Sequence, residues 1–406
     1  MSMKIESTKI LKKMTTEYFQ SFFPKEGKRP LTAWCSSIGP SEILTAMGFQ
    51  VYYPENHGAL LGATRTSNDH IPKAHSIGYH PDICSYLSSD IGAYLNGQTP
   101  LTKTYGIPEI PKPDLLVYST NQCREVQDWF GFYEKEFGAK MIGISSPWKL
   151  GVMGSEEVTY VKNQLKEMIK TIEDHFKLKL DPQKLKEVVG LSAESSKLWK
   201  TFLRKAKSTP APFSFFDGCI QMAPAVVLRG RADAVEYYKT LNGEVDQYLA
   251  TNPPSTKPEF RLYWDGMPIW GKLRFFSDLF KENNTTVVGS TYCDSWIFDC
   301  LDGDNPLESM AMAYTRIFIN RSEEIKEATL KNMYEEYDCD GMIFHDSKTC
   351  PYNSNNRFCL PQRLSDKFNI PNLVIDGDLN DLRCFSEEQT VTAVESFLEQ
   401  LRIDKL

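Results

Sequence analysis

The sequence predicts an α/β protein with two parallel sheets that carry helices on both faces. Short β-type runs alternate with runs of helical periodicity, and the order strand, helix, strand occurs in both halves of the chain. Two neighbouring parallel strands need a crossover connection, usually a helix, so this alternation favours parallel sheets. We therefore expect two α/β domains of the Rossmann or flavodoxin-like type that face a shared crevice.

Each half of the chain supplies four candidate strands. In the first half they are LTAWC at 31–35, QVYYPE at 50–55, DLLVYS at 114–119 and KMIGIS at 140–145. In the second half they are RLYWD at 261–265, TTVVGS at 285–290, GMIFHD at 341–346 and NLVIDGD at 372–378. Helical runs such as QCREVQDWFGFYEKEF and LRFFSDLF separate them and complete the alternating order.

Helical segments and one proline-rich loop divide the chain into four parts. Apolar residues recur near helical spacing from 156 to 207 and again in DAVEYYKTLNGEVDQYLA, and the loop TNPPSTKPE at 251–259 follows. We expect a helical N-terminal arm at 1–30, a first α/β domain at 31–150, a helical connector at 151–255 and a second α/β domain at 256–406.

Composition and charge exclude several classes of function. The 406 residues carry a net charge of −7 and no block of basic residues, so the sequence has no footprint for nucleic acid. No apolar run reaches the roughly 20 residues that span a bilayer, so no membrane partner is expected. The N-terminus MSMKIESTKILKK lacks the apolar region of a secretory signal, and we expect a cytoplasmic protein.

The stretch GMPIWGKL at 266–273 is one residue short of a phosphate-binding P-loop and lies between a predicted strand and a predicted helix. A phosphate cradle needs small residues with free N–H groups, whereas Pro268 lacks this donor and Trp270 fills space. Leu273 replaces the hydroxyl residue that would hold Mg²⁺. The stretch is therefore predicted to form a wall of an apolar substrate pocket.

The ten cysteines are predicted to be free thiols, because a reducing cytosol disfavours disulfides and no C-x-x-C motif occurs. Ligands bind at the carboxyl ends of parallel strands, and four cysteines follow predicted strands there: Cys35, Cys123, Cys293 and Cys350. Cys84 lies at a probable helix start, where N–H groups stabilise a thiolate. An iron–sulfur cluster, or one reactive thiol among structural cysteines, would account for this pattern. The remaining cysteines read as small buried hydrophobes or loop residues: Cys219, Cys300, Cys339, Cys384 and Cys359.

Nine stretches across the chain resemble the 2-hydroxyacyl-CoA dehydratase and benzoyl-CoA reductase family. They are WCSSIGPSEIL, VYYPENH, GYHPDICSYLSSDIGAYL, KPDLLVYSTNQCREVQDWF, FFDG, LYWDGMPIWGKL, GSTYCDSWIF, CDGMIFHDSKTCPYNSNNR and DGDLNDLRCFSEEQ. Within that family they resemble most closely the B-type subunit of ATP-dependent benzoyl-CoA reductase. Together these stretches are specific for the family and only suggestive for the substrate.

The resemblance implies a cofactor and its ligands. Cys84, Cys123 and Cys350 occupy the positions that bind a [4Fe–4S] cluster in the family, which leaves one iron without a protein ligand. The open iron is expected to act as a Lewis acid on the thioester oxygen of an acyl-CoA or aryl-CoA substrate and to pass it one electron, giving a ketyl radical anion. The implied partners are a paralogous family subunit or a second copy, and ATP-hydrolysing iron–sulfur activator subunits.

Two cysteines depart from the family pattern. The position of Cys35 is typically serine in dehydratase subunits, and Cys293 has no counterpart thiol. Both could be buried thiols at strand ends, or they could face the cluster, where Cys35 would orient substrate. Some family members hold a double-cubane [8Fe–9S] cluster with six cysteines, and Cys35, Cys293 and Cys359 are the candidates for a second ligand set.

Proton transfer needs a titratable group beside the substrate. Glu55 and His57, in YPENH after the second predicted strand, are the candidates, and ordinary loop hydrogen bonding is the alternative for both. His345 is expected to have a structural role at a strand end. Aromatic residues are expected to line the pocket or else to lie in the core: Trp264, Trp270 and Trp296.

Three functions remain open from the sequence. The first is the iron–sulfur subunit of an ATP-dependent benzoyl-CoA or other aryl-CoA reductase, a dearomatising oxidoreductase, which Cys35 in place of serine favours. The second is a 2-hydroxyacyl-CoA dehydratase subunit, a lyase, or a double-cubane reductase of small molecules. The third is a noncatalytic cluster-bearing relay or scaffold.

Overall fold

A computed structural model describes residues 3–148, 151–252 and 257–405 and contains two four-stranded parallel sheets, as the sequence predicted. The first sheet has the order β2-β1-β3-β4 and the second the order β6-β5-β7-β8. All neighbouring strands in both sheets run parallel. The strands are β1 (Thr32–Cys35), β2 (Gln50–Tyr52), β3 (Leu115–Ser119), β4 (Lys140–Ile144), β5 (Phe260–Asp265), β6 (Thr285–Ser290), β7 (Gly341–Ser347) and β8 (Asn372–Gly377).

Burial along the strands explains why they form parallel sheets with covered faces. Every residue of β1, β3 and β5 is buried, which is the pattern of strands with helices on both faces. The edge strands β4 and β8 contain exposed positions. The two halves of the chain therefore have the same topology, as the repeated strand pattern indicated.

The helices cover both sheets and connect them. None of the described helices is long and apolar enough to cross a membrane. They are α1 (Thr8–Gln20), α2 (Ser41–Ala46), α3 (Pro54–Ala63), α4 (Ser67–Ser76), α5 (Ser85–Leu95), α6 (Pro100–Tyr105), α7 (Glu125–Phe137), α8 (Ser155–Phe176), α9 (Pro182–Arg204), α10 (Phe215–Gln221), α11 (Ala223–Val227), α12 (Ala232–Thr251), α13 (Leu273–Glu282), α14 (Thr291–Asp294), α15 (Pro306–Thr315), α16 (Glu323–Glu336), α17 (Leu360–Phe368) and α18 (Glu387–Asp404).

The segments predicted as arm and connector are packed against the sheets. In the N-terminal helix α1, the Tyr18 hydroxyl donates to the carbonyl oxygen of Val51 on β2 at 2.6 Å. The long helices α8, α9 and α12 occupy the predicted connector. Two of the predicted domain boundaries, at residues 150 and 255, lie outside the described residues.

The segment after β2 differs from the expectation. The sequence predicted a strand to residue 55 followed by a loop, but β2 ends at Tyr52 and α3 begins at Pro54. Proline is favoured in the first helical turn because its missing N–H has no partner there and its φ angle suits a helix. Glu55 and His57 therefore lie in the first turns of a helix and not in a loop.

The strand order positions the functional site. The order of the strands reverses direction between β1 and β3 and between β5 and β7, so the loops after these strands diverge and open a crevice at the carboxyl ends. The loops that carry Cys123 and Cys350 follow β3 and β7, respectively. Each sheet thus contributes one of these cysteines from its topological switch point.

Candidate active site

One apolar cavity of about 340 Å³ lies where the two halves of the chain meet. The first half contributes Ser37 and Glu55 to its lining, and the second half contributes Met267, Trp270 and Tyr292. Lining residues are mostly hydrophobic or aromatic, with a few polar groups among them. A pocket of this kind is typical of a small-molecule binding site.

Three of the predicted cluster ligands, Cys84, Cys123 and Cys350, line this cavity together. Cys84 immediately precedes α5, Cys123 lies just before α7, and Cys350 precedes a short 3₁₀ helix at 351–353. Each sulfur accepts backbone N–H groups from the turn that follows it, contributed by Tyr86 and Leu87, by Val126, and by Asn353. A start of a helical turn offers such N–H groups because they lack partners inside the helix.

The three thiols are close enough to influence one another. Burial raises the pKa of Cys350 to about 12 and those of Cys84 and Cys123 well above their usual range. Cys350 further raises the pKa of Cys84, and both of these thiols raise that of Cys123. The cysteines that the sequence singled out are therefore brought into one group.

A buried carboxylate joins the loops of Cys84 and Cys350. The Oδ1 atom of Asp378 accepts a hydrogen bond from Ser85 Oγ at 2.5 Å, and its Oδ2 atom accepts from Thr349 N and Oγ1 at 2.8 and 2.7 Å. Ser85 N also donates directly to Thr349 Oγ1 at 3.0 Å. The residues next to two of the cysteines are thus fixed to each other across the two halves of the chain.

The donor set fits an iron–sulfur cluster better than a single metal ion. No group of three or more His, Cys, Asp or Glu side chains within the described ranges is placed to hold a single metal ion. In a cluster each thiolate binds a different iron, so the sulfur atoms lie further apart than the ligands of one ion. The cavity also contains Glu125, whose buried Oε2 has no hydrogen-bond partner in the described part of the chain. A buried carboxylate oxygen without a donor is stabilised by a cationic group, which a cluster with iron would provide.

Glu55 lies on the cavity wall and is held by two groups. Its Oε2 accepts a hydrogen bond from the backbone N–H of Ser37, and its Oε1 accepts from Gln122 Nε2 at 2.9 Å. Buried Arg229 fixes the Ser37 loop by donating to the Ser37 carbonyl oxygen at 2.6 Å. Burial raises the pKa of Glu55 to about 7, against the opposing effects of the Ser37 hydrogen bonds and the Arg229 charge. Glu55 can therefore exist as acid or as base near neutral pH.

His57 does not face the cavity. The side chain is buried, its Nδ1 pairs with Asp90 Oδ1 at 2.5 Å, and its Nε2 contacts Thr99 Oγ1 at 2.8 Å. The second oxygen of Asp90 accepts from Trp129 Nε1 and the Tyr133 hydroxyl at 2.8 and 2.5 Å. This network connects α3, α5 and α7, so we assign His57 a structural role in place of the catalytic role that the sequence suggested.

The other candidate cysteines do not join the three on the cavity wall. Cys35 is fully buried in β1, Cys293 is buried in α14, and Cys359 is exposed, and none of these three is among the described residues that line the cavity. Cys219, which the sequence marked only as a buried hydrophobe, does line it. Its thiol contacts that of Cys293. Cys219 is therefore a cavity residue that sequence reasoning missed.

The stretch 266–273 forms a wall of the cavity. Met267 and Trp270 line it, and Trp270 Nε1 donates to the hydroxyl of Tyr86 from the other half of the chain. Lys272, the residue that would contact phosphate in a P-loop, pairs with a carboxylate of α18 at 2.5 Å. Its neighbours therefore serve the apolar pocket that the sequence predicted.

The remaining aromatic predictions divide between pocket and core. Trp296 lines the cavity, as Trp270 does. Trp264 is fully buried and packs against Phe215 and Phe276. His345 is buried, and its Nδ1 contacts the Met267 carbonyl oxygen at 2.7 Å, which agrees with a structural role at a strand end.

Four polar lining residues were not singled out from the sequence. Ser37 and Gln122 hold Glu55, Glu125 faces the three thiols, and Tyr292 lies opposite on the second half. Gln122 and Glu125 flank Cys123 in NQCRE, so their proximity to a predicted ligand was the available signal.

The comparisons with known proteins place the whole chain in one family. The family model described as 2-hydroxyglutaryl-CoA dehydratase, D-component, matches residues 36–401. The chain is 29% identical over 408 residues to the alpha subunit of (R)-2-hydroxyisocaproyl-CoA dehydratase from Clostridioides difficile, with 98% of this chain and 97% of that subunit covered. It is 29% identical over 371 residues to the (R)-phenyllactyl-CoA dehydratase alpha subunit from Clostridium sporogenes, covering 90% and 88%. It is 28% identical over 380 residues to the B-type subunit of benzoyl-CoA reductase from Thauera aromatica, covering 89% and 86%. The chain therefore belongs to the 2-hydroxyglutaryl-CoA dehydratase D-component family.

Proposed function

We propose that this chain is a catalytic subunit of a 2-hydroxyacyl-CoA dehydratase, a lyase that removes water from its substrate. The observation that carries the proposal is the convergence of Cys84, Cys123, Cys350 and Glu55 on one apolar cavity. Dehydratase alpha subunits among the relatives match nearly the full length of the chain, which supports this activity over the reductase that the sequence favoured.

A [4Fe–4S] cluster is the proposed cofactor, with Cys84, Cys123 and Cys350 as its ligands. When bound, such a cluster supplies one-electron transfer and an iron without a protein ligand that acts as a Lewis acid. The backbone N–H groups after each cysteine neutralise part of the thiolate charge. Asp378 keeps the loops of Cys84 and Cys350 in register through Ser85 and Thr349.

The cavity wall selects an apolar acyl group and excludes water. Met267, Trp270 and Trp296 present hydrophobic and aromatic surface on one side. On the other side, Ala59 and Leu60 of α3 complete the apolar lining. An apolar chain gains free energy here at about 25 cal/mol per Å² of surface buried, so small polar acyl groups are disfavoured.

Glu55 is the proposed acid–base group. Its carboxyl is oriented by Ser37 N–H and the Gln122 amide, and its pKa of about 7 lets it hold or release a proton at neutral pH. A protonated Glu55 donates to the hydroxyl group that departs as water, and the carboxylate accepts a proton from the acyl group. This places the proton transfer on the side of the cavity that belongs to the first half of the chain.

Benzoyl-CoA or aryl-CoA reduction is the second candidate function. Aromatic side chains on the cavity wall and the similarity to the B-type subunit of benzoyl-CoA reductase favour it. In either case we propose that the chain works with a paralogous family subunit or a second copy, and with ATP-hydrolysing iron–sulfur activator subunits. A double-cubane [8Fe–9S] cluster is the less favoured cofactor, because Cys35, Cys293 and Cys359 lie away from the cavity lining described above.

The test is turnover by the anaerobically purified complex supplied with activator, ATP and a low-potential reductant. Formation of a 2-enoyl-CoA from an apolar 2-hydroxyacyl-CoA is the expected result. A cyclic diene from benzoyl-CoA, without dehydration, would instead establish the reductase. Neither product from a cluster-loaded complex would favour a relay or scaffold and contradict the proposal.

A further inference from the structure

The apolar cavity has room for an acyl group but no cation for the phosphates of coenzyme A. No lysine, arginine or histidine is among the described residues that line it. Phosphate groups bind to arginine and lysine side chains or to free N–H groups. An acyl-CoA bound in this cavity must therefore place its nucleotide in a neighbouring site.

A second cavity of about 430 Å³ adjoins the first. Ser295 and Ile317 line both cavities, so a chain that leaves the first can continue into the second. Arg316 and Arg321 line the second cavity. These two residues bring guanidinium groups to the direction in which a pantetheine arm would extend.

The two guanidinium groups lack carboxylate partners in the described part of the chain. Arg316 is exposed, and Nη1 contacts only the sulfur atoms of Cys300 at 3.5 Å and Met312 at 3.8 Å, which are weak acceptors. Arg321 is 9% exposed, donates from Nη2 to the Gly151 carbonyl oxygen at 2.7 Å, and has a buried Nε without a hydrogen-bond partner among the described residues. Strong donors that face weak or absent acceptors are suited to an anion.

The acidic residues of the second cavity are already paired with other cations. Asp294 binds Arg204 Nη1 at 2.7 Å and accepts from the Tyr263 hydroxyl at 3.0 Å. Asp299 binds Lys200 Nζ at 2.6 Å. Their charges are largely compensated, so the positive charge of the arginine pair is not neutralised within the cavity.

We infer that Arg316 and Arg321 form a binding site for the phosphate groups of coenzyme A. The pantetheine arm passes Ser295 and Ile317 and carries the acyl group into the cavity lined by the three cysteines. This inference rests on the proposed acyl-CoA substrate and adds the residues that recognise its nucleotide. Bidentate arginine contacts are well suited to phosphate because the guanidinium fork matches the phosphate oxygens.

The test compares two ligands that share the acyl and pantetheine parts. Butyryl-CoA and S-butyryl-pantetheine are titrated by calorimetry into the purified complex; neither carries a hydroxyl group to eliminate. Arg316→Glu is expected to weaken butyryl-CoA binding by at least about tenfold and to leave butyryl-pantetheine binding unchanged. Arg321→Gln should act in the same direction, and circular dichroism checks that this buried position still folds.

The matched control is Arg274→Glu, which makes the same charge reversal at a side chain that is 87% exposed and pairs only with Asp278 on its own helix. It should bind butyryl-CoA like the parent. Equal butyryl-CoA affinity in Arg316→Glu and the parent would overturn the inference, as would an equal loss for both ligands. If the parent complex binds neither ligand, the proposed acyl-CoA function fails, and this inference fails with it.

Discussion

The network around Asp378 gives a prediction whose size can be worked out from the structure. Asp378 is fully buried, and its Oδ2 accepts from Thr349 N and Oγ1, while its Oδ1 accepts from Ser85 Oγ and from the backbone N–H groups of Asn380 and Asp381 at 3.0 and 2.9 Å. In Asp378→Asn the amide nitrogen must face one of these two groups of donors. The lower cost arises when it faces Thr349, because the other oxygen then keeps two backbone partners.

That arrangement leaves the Thr349 N–H buried without an acceptor and removes one hydroxyl hydrogen bond to a charged group. These losses together cost about 2–4 kcal/mol. The cost falls on the loops of Cys84 and Cys350, which Asp378 joins through Ser85 and Thr349. We therefore expect these loops to open more often while the two sheets remain folded.

Hydrogen exchange followed by mass spectrometry measures this local opening. Amides in peptides that contain Ser85 and Thr349 should exchange roughly 30- to 700-fold faster in Asp378→Asn than in the parent. Asp376→Asn is the matched control, because it removes the same charge two residues away at an exposed position of β8. Unchanged exchange in Asp378→Asn, or an equal increase in the control, would refute the proposed link between the two loops.

Three further predictions concern Glu55 and the stretch that resembles a P-loop. Glu55→Gln should keep its iron content and acyl-CoA affinity but turn over about 10²–10⁴-fold more slowly, and turnover at the parent rate would show that the proton comes from another group. Burial raises the pKa of Glu55 from 4.5 to about 7, so the folded protein takes up a proton between these values and its stability falls as pH rises through that window. Glu55→Gln should flatten this part of a plot of unfolding free energy against pH, and identical slopes in both proteins would contradict the assigned environment. Neither the parent chain nor Lys272→Ala should bind ATP in calorimetry, because Lys272 is paired with Glu387 and its neighbours line an apolar cavity; measurable binding by the parent would contradict this assignment.

Strand positions could be predicted from the sequence because burial on both faces leaves a continuous apolar run. The run TTVVGS at 285–290 coincides with β6, and DLLVYS at 114–119 differs from β3 by one residue. Placing Cys123 and Cys350 on one crevice followed from the same pattern, because both cysteines lie just past the carboxyl ends of strands. Local pattern was sufficient for these features, since each depends on residues close in the chain.

Features that depend on distant partners could not be predicted in this way. His57 has a titratable ring in a promising position, but Asp90, 33 residues away, and Thr99, 42 residues away, determine its role. Asp378 joins Ser85 across 293 residues, and no local motif marks this contact. Cys219 was indistinguishable from a core cysteine, because only the packing of α10 beside the cavity places it on the wall.

Mössbauer spectroscopy with iron and sulfide analysis tests the central claim most directly, namely that Cys84, Cys123 and Cys350 hold a cluster with one open iron. The anaerobically reconstituted parent chain should contain about four iron and four sulfide, with one iron site distinct from the other three. Cys84→Ser, Cys123→Ser and Cys350→Ser should each lose most of this iron, whereas Cys339→Ser, at a buried cysteine outside the described cavity lining, should retain it. Full iron loading in the three ligand variants, or a parent chain that binds no iron, would contradict the account.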